Sequence, residues 1–169
     1  MQKQHLIIIG NGMVGHHFVE QLAANEYFCI TVICAEQYPA YDRVHLSDFF
    51  AGKTVHDLAL GTAQQYVELG VNLLLNDAAT HIDRSNKTVS TASGAVLMYD
   101  KLVLATGSYP FVPPVQGGDH ARCFVYRTLD DLDAIRACAK TAKRGVVVGG
   151  GLLVWRRLMR CAIWGWKHT

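Results

Sequence analysis

Three glycines near the N-terminus have the spacing of a nucleotide-binding turn. Gly10, Gly12 and Gly15 form the pattern G-x-G-x-x-G, with Met13 directly after the second glycine. In this pattern the first glycine makes a tight turn, the second lets the backbone approach a pyrophosphate, and the third lets a helix pack closely on a strand. Glu36 follows roughly 20 residues later, where an acid binds a ribose hydroxyl and disfavours a 2′-phosphate. These residue types predict a dinucleotide site, without separating NAD from FAD.

The elements that must position this site follow in the expected order. The apolar run 6–9 predicts a buried strand, residues 13–24 have apolar side chains at helical spacing, and the β-branched run 30–34 predicts a second parallel strand. An isolated G-x-G-x-x-G is a weak signal, because many glycine turns connect ordinary elements. Here strand, turn, helix, strand and terminal acid occur together, so the sequence favours a βαβ unit whose helix N-terminus faces the phosphates.

Composition excludes several other classes of protein. Half of the 169 residues are apolar and the net charge is +2, which argues against disorder and against a nucleic-acid partner. The first apolar run has four residues, too few for a signal peptide or a membrane span. Five scattered cysteines form no C-x-x-C pair and eight histidines form no ligand pair, so we expect buried free thiols and no metal site. These features predict a cytoplasmic protein that binds neither nucleic acid nor membrane.

The rest of the chain supplies further strands and helices. Residues 53–69 predict two short helices separated by Gly61, and residues 129–142 predict an amphipathic helix capped by Thr128. Strands are predicted at 71–75, 78–82, 88–91, 96–98, 102–105 and 123–128. The fold class is therefore α/β, a doubly wound Rossmann-like domain with a β-meander insertion.

The loop 37–47 carries a family resemblance. Its Tyr41-Asp42-Arg43-Val44-His45-Leu46-Ser47, together with the glycine motif, resembles the FAD domain of the pyridine-nucleotide flavoprotein reductases, most of all their nitrite reductase branch. The resemblance implies that the glycine motif holds the ADP part of FAD. It also implies that the loop runs beside the pyrophosphate and flavin, where Ser47 and the bidentate donor Arg43 are the candidate contacts.

Two later segments join the expected FAD site by the same resemblance. The backbone near Ala79 is expected to lie against the adenine. The turn Ala105-Thr106-Gly107, which closes the predicted strand 102–105, is expected where FAD passes. In this family, hydride passes from NAD(P)H to FAD, and in the nitrite reductases electrons continue to nitrite. No catalytic residue is assigned within this chain.

A second glycine fingerprint begins near the C-terminus and then departs from the pattern. Residues 145–153 repeat strand and G-x-G, with Gly149 and Gly151 as the start of an NAD(P) domain, but Val154 stands where the third glycine belongs. The residues that follow contain all three tryptophans and several cations, but no acid. One explanation is a basic, aromatic tail that binds a membrane or a nucleic acid.

The other explanation, which we favour, is a shift of reading frame. One added base before the Val154 codon permits Gly-Leu-Glu-Ala-Ala-Asp-Ala-Leu, which supplies the missing glycine and an amphipathic helix. The predicted organisation is an FAD domain at 1–115, a connection and helix at 116–144, the start of an NAD(P) domain at 145–153, and an aberrant tail at 154–169. We therefore expect weak or absent FAD binding and no reductase activity from this chain alone, with a non-enzymatic interaction module as the alternative.

Overall fold

The computed structural model describes residues 3–149 of the chain. By its internal contacts the chain divides into two compact units. The first comprises Met1–Asp42 with Ala59–Ser108, and the second comprises Arg43–Leu58 with Tyr109–Thr169. The predicted domain boundaries remain predictions.

A four-stranded parallel sheet forms the centre of the first unit. Seven strands are described in this part of the chain: β1 (Gln4–Ile9), β2 (Phe28–Ile33), β3 (Asn72–Leu74), β4 (Ala79–Asp83), β5 (Thr88–Thr91), β6 (Val96–Met98) and β7 (Lys101–Leu104). The parallel sheet has the order β3-β2-β1-β7, with Ile8 paired to both Val32 and Val103. The central strand β1 is apolar throughout its buried part because both faces of the sheet are covered. This confirms the predicted Rossmann-like α/β fold.

Helices α1 (Met13–Leu22) and α3 (Ala63–Glu68) also belong to the first unit. Val19 of α1 is fully buried in one core cluster with Tyr66, which belongs to α3. The N-terminus of α3 is fixed by a capping box, in which Thr62 and Gln65 exchange side-chain to backbone hydrogen bonds. The capping box therefore stabilises the first turn of α3, the helix that carries Tyr66.

The β-meander forms as the sequence predicts. Strands β4, β5 and β6 make a three-stranded antiparallel sheet. Between β4 and β5, Asp83 accepts hydrogen bonds from the backbone N–H groups of Ser85 and Asn86, which fixes the turn. Val89 is fully buried and belongs to a second core cluster with three isoleucines of β1 and β2. The meander is thus packed into the core of the first unit.

The second unit is built from short helices. It contains a 3-10 helix (Leu46–Ala51), α2 (Val55–Leu58) and α4 (Leu129–Ala139). A capping box of Thr128 and Asp131 begins α4, as the sequence predicts. The Arg136 guanidinium lies 4.6 Å from the centre of the Phe49 ring, so a cation–π contact joins α4 to the 3-10 helix.

Three sequence predictions are corrected here. Residues 123–128 and 145–149 are not strands, because no strand of the described residues pairs with either segment. A strand without a neighbour leaves its backbone groups unpaired, and Val146 and Val148 are both 83% exposed. The last part of the predicted loop 37–47 enters the 3-10 helix. Gly151, Val154 and the tail 154–169 lie outside the described residues.

Candidate functional site

The glycine turn lies where β1, α1 and β7 approach most closely. Gly10 has φ +105°, and a Cβ atom there would lie 2.3 Å from the carbonyl oxygen of Ala105. A Cβ atom on Gly15 would lie 2.2 Å from the carbonyl oxygen of Gly10. Atoms do not approach this closely in proteins, so a side chain at either position would force the backbone to shift. The α1 backbone therefore packs directly on the turn. These are the roles that the pattern predicts for the first and third glycines.

The N-terminus of α1 is suited to an anion. Gly12 is the residue before the helix and provides no capping side chain, and Met13 begins the helix without an acid in the first turn. The first N–H groups of α1 therefore have neither a side-chain acceptor from the cap residue nor a competing carboxylate nearby. Together with the helix dipole, such groups favour a bound phosphate.

The turn after β7 lies against the glycine turn. The N–H of Ala105 donates to the carbonyl of Ile9 at 2.8 Å, which continues the pairing of β7 with β1. The Cα atom of Thr106 lies 3.1 Å from the position that a Gly10 Cβ would take. Gly107 has φ +69°, and both Thr106 and Gly107 are exposed. The structure thus brings two separately predicted segments of the site together.

Glu36 follows β2 and is held by a residue that the sequence analysis did not assign. Its carboxylate accepts a hydrogen bond of 2.6 Å from the hydroxyl of Tyr41, which is buried. Its backbone carbonyl accepts from Asn76 N–H at 2.9 Å, three residues before Ala79 begins β4. The acid predicted for the ribose and the backbone predicted for the adenine therefore lie on connected segments.

Arg43 and Ser47 belong to the second unit. Arg43 Nη1 donates to the backbone carbonyl of Arg127 at 3.1 Å, and the Arg127 guanidinium lies 5.0 Å from the centre of the Tyr109 ring. Ser47 is buried in the first turn of the 3-10 helix. Their predicted contacts with FAD stay predictions. Of the NAD(P) pair, Gly149 is exposed with φ +152°, and Gly151 lies outside the described residues.

A buried polar cluster beneath the glycine turn was missed by sequence reasoning. Asn11 and His16 are 6% and 8% exposed, and Tyr66 is 1% exposed. The Tyr66 hydroxyl lies 2.7 Å from Asn11 Oδ1 and 2.7 Å from His16 Nδ1. Burial raises the pKa of Tyr66 to about 12, so the phenol keeps its proton at neutral pH. No sequence signal identifies this cluster, because 55 residues separate Asn11 from Tyr66.

The described residues, 3–149, contain neither a metal-binding cluster nor a membrane-spanning helix. In that range no group of three or more His, Cys, Asp and Glu side chains is arranged to hold a metal ion. No helix among the same residues is long and apolar enough to cross a membrane. Four cysteines are free thiols, as predicted, but Cys29 and Cys123 are exposed rather than buried.

The described residues fit a dinucleotide such as FAD. Any side chain on Gly10 or Gly15 would collide with backbone, which leaves a bare turn at the N-terminus of an uncapped helix. Glu36 lies three residues after the end of β2, close to where a dinucleotide-binding fold places the acid that binds a ribose. Fold and turn together define a dinucleotide-binding α/β protein.

Comparison with known proteins gives the family. Residues 4–153 match the pyridine nucleotide-disulphide oxidoreductase family, and the chain belongs to it. It is 52% identical over 156 residues to the nitrite reductase [NAD(P)H] large subunit of Klebsiella oxytoca and 51% identical over 158 residues to the nitrite reductase (NADH) large subunit of Escherichia coli. Each match covers 90% of this chain but only 16% and 18% of the relative, so the chain spans less than a fifth of these proteins.

Solved structures agree with this assignment. NADH:rubredoxin oxidoreductase from Clostridium acetobutylicum superposes with a TM-score of 0.85 at 27% identity, covering 97% of this chain and 43% of that one. The putidaredoxin reductase complex with putidaredoxin also gives 0.85, at 29% identity, covering 97% of this chain and 41% of that one. The fold is therefore that of known pyridine-nucleotide reductases.

Proposed function

We propose that this chain is the N-terminal FAD-binding part of an NAD(P)H-dependent flavoprotein oxidoreductase, and that the parent enzyme reduces nitrite. The observation that carries this proposal is the 52% identity to a nitrite reductase large subunit over 90% of the chain. When bound, FAD supplies the redox chemistry by accepting electrons from a reduced pyridine nucleotide and passing them on. A cytoplasmic location remains part of the proposal.

The residues of the first unit divide the binding of FAD among them. The turn at Gly10 and Gly12 and the first N–H groups of α1 bind the pyrophosphate. Glu36 binds the ribose hydroxyls of the adenosine half, and Tyr41 holds its carboxylate in place through their 2.6 Å hydrogen bond. The backbone at Ala79 borders the adenine. This arrangement positions the cofactor without any side chain of the glycine turn.

Residues at the end of β7 and in the loop 37–47 are further proposed contacts of FAD. Thr106 and Gly107 border the cofactor at the end of β7, where α/β sheets bind their ligands. Arg43 has a planar guanidinium suited to a bidentate contact with the pyrophosphate, and Ser47 a hydroxyl for the same region. These contacts rest on the family resemblance and on the position of the segments in the sequence.

We further propose that the chain by itself binds FAD weakly and does not catalyse reduction by NADH. Val154 stands where the third glycine of the second nucleotide fingerprint belongs. Hydride transfer requires the nicotinamide to be held against the flavin. Without that glycine a helix cannot pack closely on the turn that would hold the second nucleotide.

One titration tests the FAD site. The full chain is titrated with FAD, and its affinity is measured by the change in flavin fluorescence with the free FAD still present. Gly10→Ala is the test variant and Gly94→Ala the matched control, since both glycines have positive φ but only Gly10 has backbone within 4 Å of the added Cβ. We expect Gly10→Ala to abolish binding and Gly94→Ala to retain it. Equal affinity in all three proteins would reject the site.

A dye-reduction assay tests the second part of the proposal. The purified chain is supplied with FAD, NADH and an artificial acceptor, and absorbance at the dye band is followed. We expect no rate above that of free FAD. An NADH-dependent rate that increases with protein concentration would contradict the proposal and show that a nicotinamide site is complete.

A further inference from the structure

Four groups form a continuous buried chain under the glycine turn. It runs from the Asn11 side chain to the Tyr66 hydroxyl, then to His16 Nδ1, and from His16 Nε2 to the carbonyl of Leu60 at 3.1 Å. The His16 ring lies against Gly61, where a Cβ atom would approach Cε1 to 2.7 Å. Gly61 therefore leaves the space that the ring occupies. The contacts join the turn after β1 to the segment before α3.

The number of protons in this chain determines the direction of its hydrogen bonds. If Tyr66 gives its single proton to Asn11 Oδ1, its oxygen must accept from His16 Nδ1. A neutral His16 would then present a bare Nε2 to the Leu60 carbonyl, and two acceptors would face each other. Asn11 Nδ2 would also remain buried without a partner, which is costly.

Rotating the Asn11 amide by half a turn removes the conflict at Leu60. One N–H of its NH2 group then donates to the Tyr66 oxygen, Tyr66 donates to His16 Nδ1, and His16 Nε2–H donates to Leu60. Each of these contacts now joins one donor to one acceptor, and the buried amide atom without a partner becomes the oxygen. Oxygen and nitrogen of such an amide have nearly the same size, so the hydrogen-bond network decides between the orientations.

We propose that Tyr66 and His16 are positioning residues for the pyrophosphate-binding turn, which they hold through Asn11. The hydrogen bonds from Asn11 to Tyr66, from Tyr66 to His16 and from His16 to the Leu60 carbonyl form a relay in which all donors point in the same direction. The proposal rests on the proposed binding of FAD at that turn. Tyr66 and His16 act through Asn11 and do not themselves contact the cofactor.

The physical need for such a relay comes from the turn itself. Gly10 and Gly12 have no side chains to restrict them, and glycine loses more conformational freedom on ordering than any other residue. Asn11 is the only residue between them, so fixing its side chain fixes the turn before the ligand arrives. A preorganised turn pays less of this entropy on binding, which raises affinity.

The groups that face His16 are compatible with this relay. Tyr66 approaches from α3, and the Leu60 carbonyl and Gly61 from the segment before it. On α1 itself, Glu20 Oε1 lies 3.7 Å from Nε2. Glu20 is half exposed, whereas the contacts with Tyr66 and Leu60 are shorter and less accessible to water. The shorter contacts therefore determine which ring nitrogen carries the proton.

The first test uses the unmodified chain. Nitrogen-15 NMR of the imidazole ring distinguishes the two neutral tautomers of His16. We expect the proton on Nε2 and a bare, accepting Nδ1, with slow exchange of the Asn11 side-chain amide protons. A proton on Nδ1 would overturn the relay, whether or not the chain binds FAD.

The second test compares Tyr66→Phe with Val71→Ala. Val71 is a buried neighbour of Tyr66 in the same core cluster, so its truncation disturbs packing while leaving the relay intact. In Tyr66→Phe we expect faster hydrogen exchange at the backbone amides of Gly10 and His16, which donate to the carbonyls of Ile33 and Gly12 on either side of the turn. We also expect about a tenfold loss of FAD affinity, the effect of one hydrogen bond. Val71→Ala should change neither by more than about twofold.

The outcomes separate this inference from the proposed function. If the wild-type chain does not bind FAD, the proposed function fails, while the tautomer of His16 and the amide exchange of the two variants still decide the relay. If wild type binds FAD and both variants match its affinity and its exchange rates, the relay is wrong and the FAD site stands. If both variants lose affinity and protection equally, Tyr66 is a core residue only.

Discussion

Replacing Gly15 with alanine tests whether close packing of α1 on the turn shapes the site. Gly15 lies inside α1 with ordinary helical φ, so the alanine backbone is unstrained there. On helix propensity alone, the change should stabilise the protein by about 1 kcal/mol. The structure predicts the opposite sign, because the new Cβ would lie 2.2 Å from the carbonyl oxygen of Gly10.

The size of the effect follows from this distance. An ordinary contact begins at 3.4 Å, so the helix or the turn must move by 1.2 Å, the difference between 3.4 and 2.2 Å. Both atoms belong to rigid backbone, so no side chain can move aside. Overpacking of this kind costs about 1–3 kcal/mol, and the gain in helix propensity offsets about 1 kcal/mol of it. We expect a net loss of up to about 2 kcal/mol in the free energy of unfolding.

The same displacement should weaken the binding of FAD. Moving α1 away from the turn separates its first N–H groups from the pyrophosphate, and one hydrogen bond to a charged group is worth about 1.5–3 kcal/mol. We therefore expect affinity to fall by at least about tenfold. Urea unfolding measures the first effect and flavin fluorescence titration the second.

The control for this experiment is Val14→Ala, one residue earlier in α1. Val14 is 75% exposed, so its truncation should change stability by no more than about 0.5 kcal/mol. A Gly15→Ala protein that is more stable than wild type and binds FAD with unchanged affinity would refute the reasoning. Helix propensity would then outweigh the close contact, and the third glycine would have no steric role.

Two further predictions concern acids and protons of the first unit. Glu36→Gln should lower FAD affinity by about tenfold, because an amide is a poorer acceptor for ribose hydroxyls than a carboxylate, while Tyr41→Phe should lower the affinity less. Titration of both variants beside wild type with FAD measures these effects. An unchanged affinity in Glu36→Gln would contradict the ribose contact. Burial raises the pKa of Tyr66 to about 12, whereas the unfolded chain releases this proton near pH 10. The free energy of unfolding should therefore fall as pH rises from about 10 to about 12, by at most about 2.7 kcal/mol. Urea unfolding across this range should show that the Tyr66→Phe protein lacks this part of the loss. Identical pH profiles of stability for the two proteins would contradict the raised pKa of Tyr66.

Most of the first unit could be predicted from sequence because its signals are local. The strand β1, the glycine turn and α1 occupy consecutive residues, so the residue types reveal both the elements and the close packing between them. The strands β5 and β6 were predicted at their observed bounds for the same reason, since turn residues mark their ends. Local patterns also identify the capping box at the start of α4.

The failures arise where a pattern depends on distant partners. Residues 123–128 and 145–149 have the composition of strands, but composition does not supply a neighbouring strand, and neither segment pairs within the described residues. The hydrogen bond from Tyr41 to Glu36 was missed although only five residues separate them, because the loop conformation that joins them is not encoded in a repeating pattern.

The proposed site depends both on a local sequence motif and on contacts between residues that are distant in the sequence. The glycine motif specifies what the turn can do, namely approach a phosphate, but glycine cannot restrict its own backbone. That restriction comes from Tyr66 and His16, whose buried hydroxyl and ring reach Asn11 from other elements of the fold. If the His16 tautomer is as expected, the affinity of this turn depends on a residue in α3 as well as on its glycines. Variation at Tyr66 would then change affinity in a chain whose fingerprint is intact.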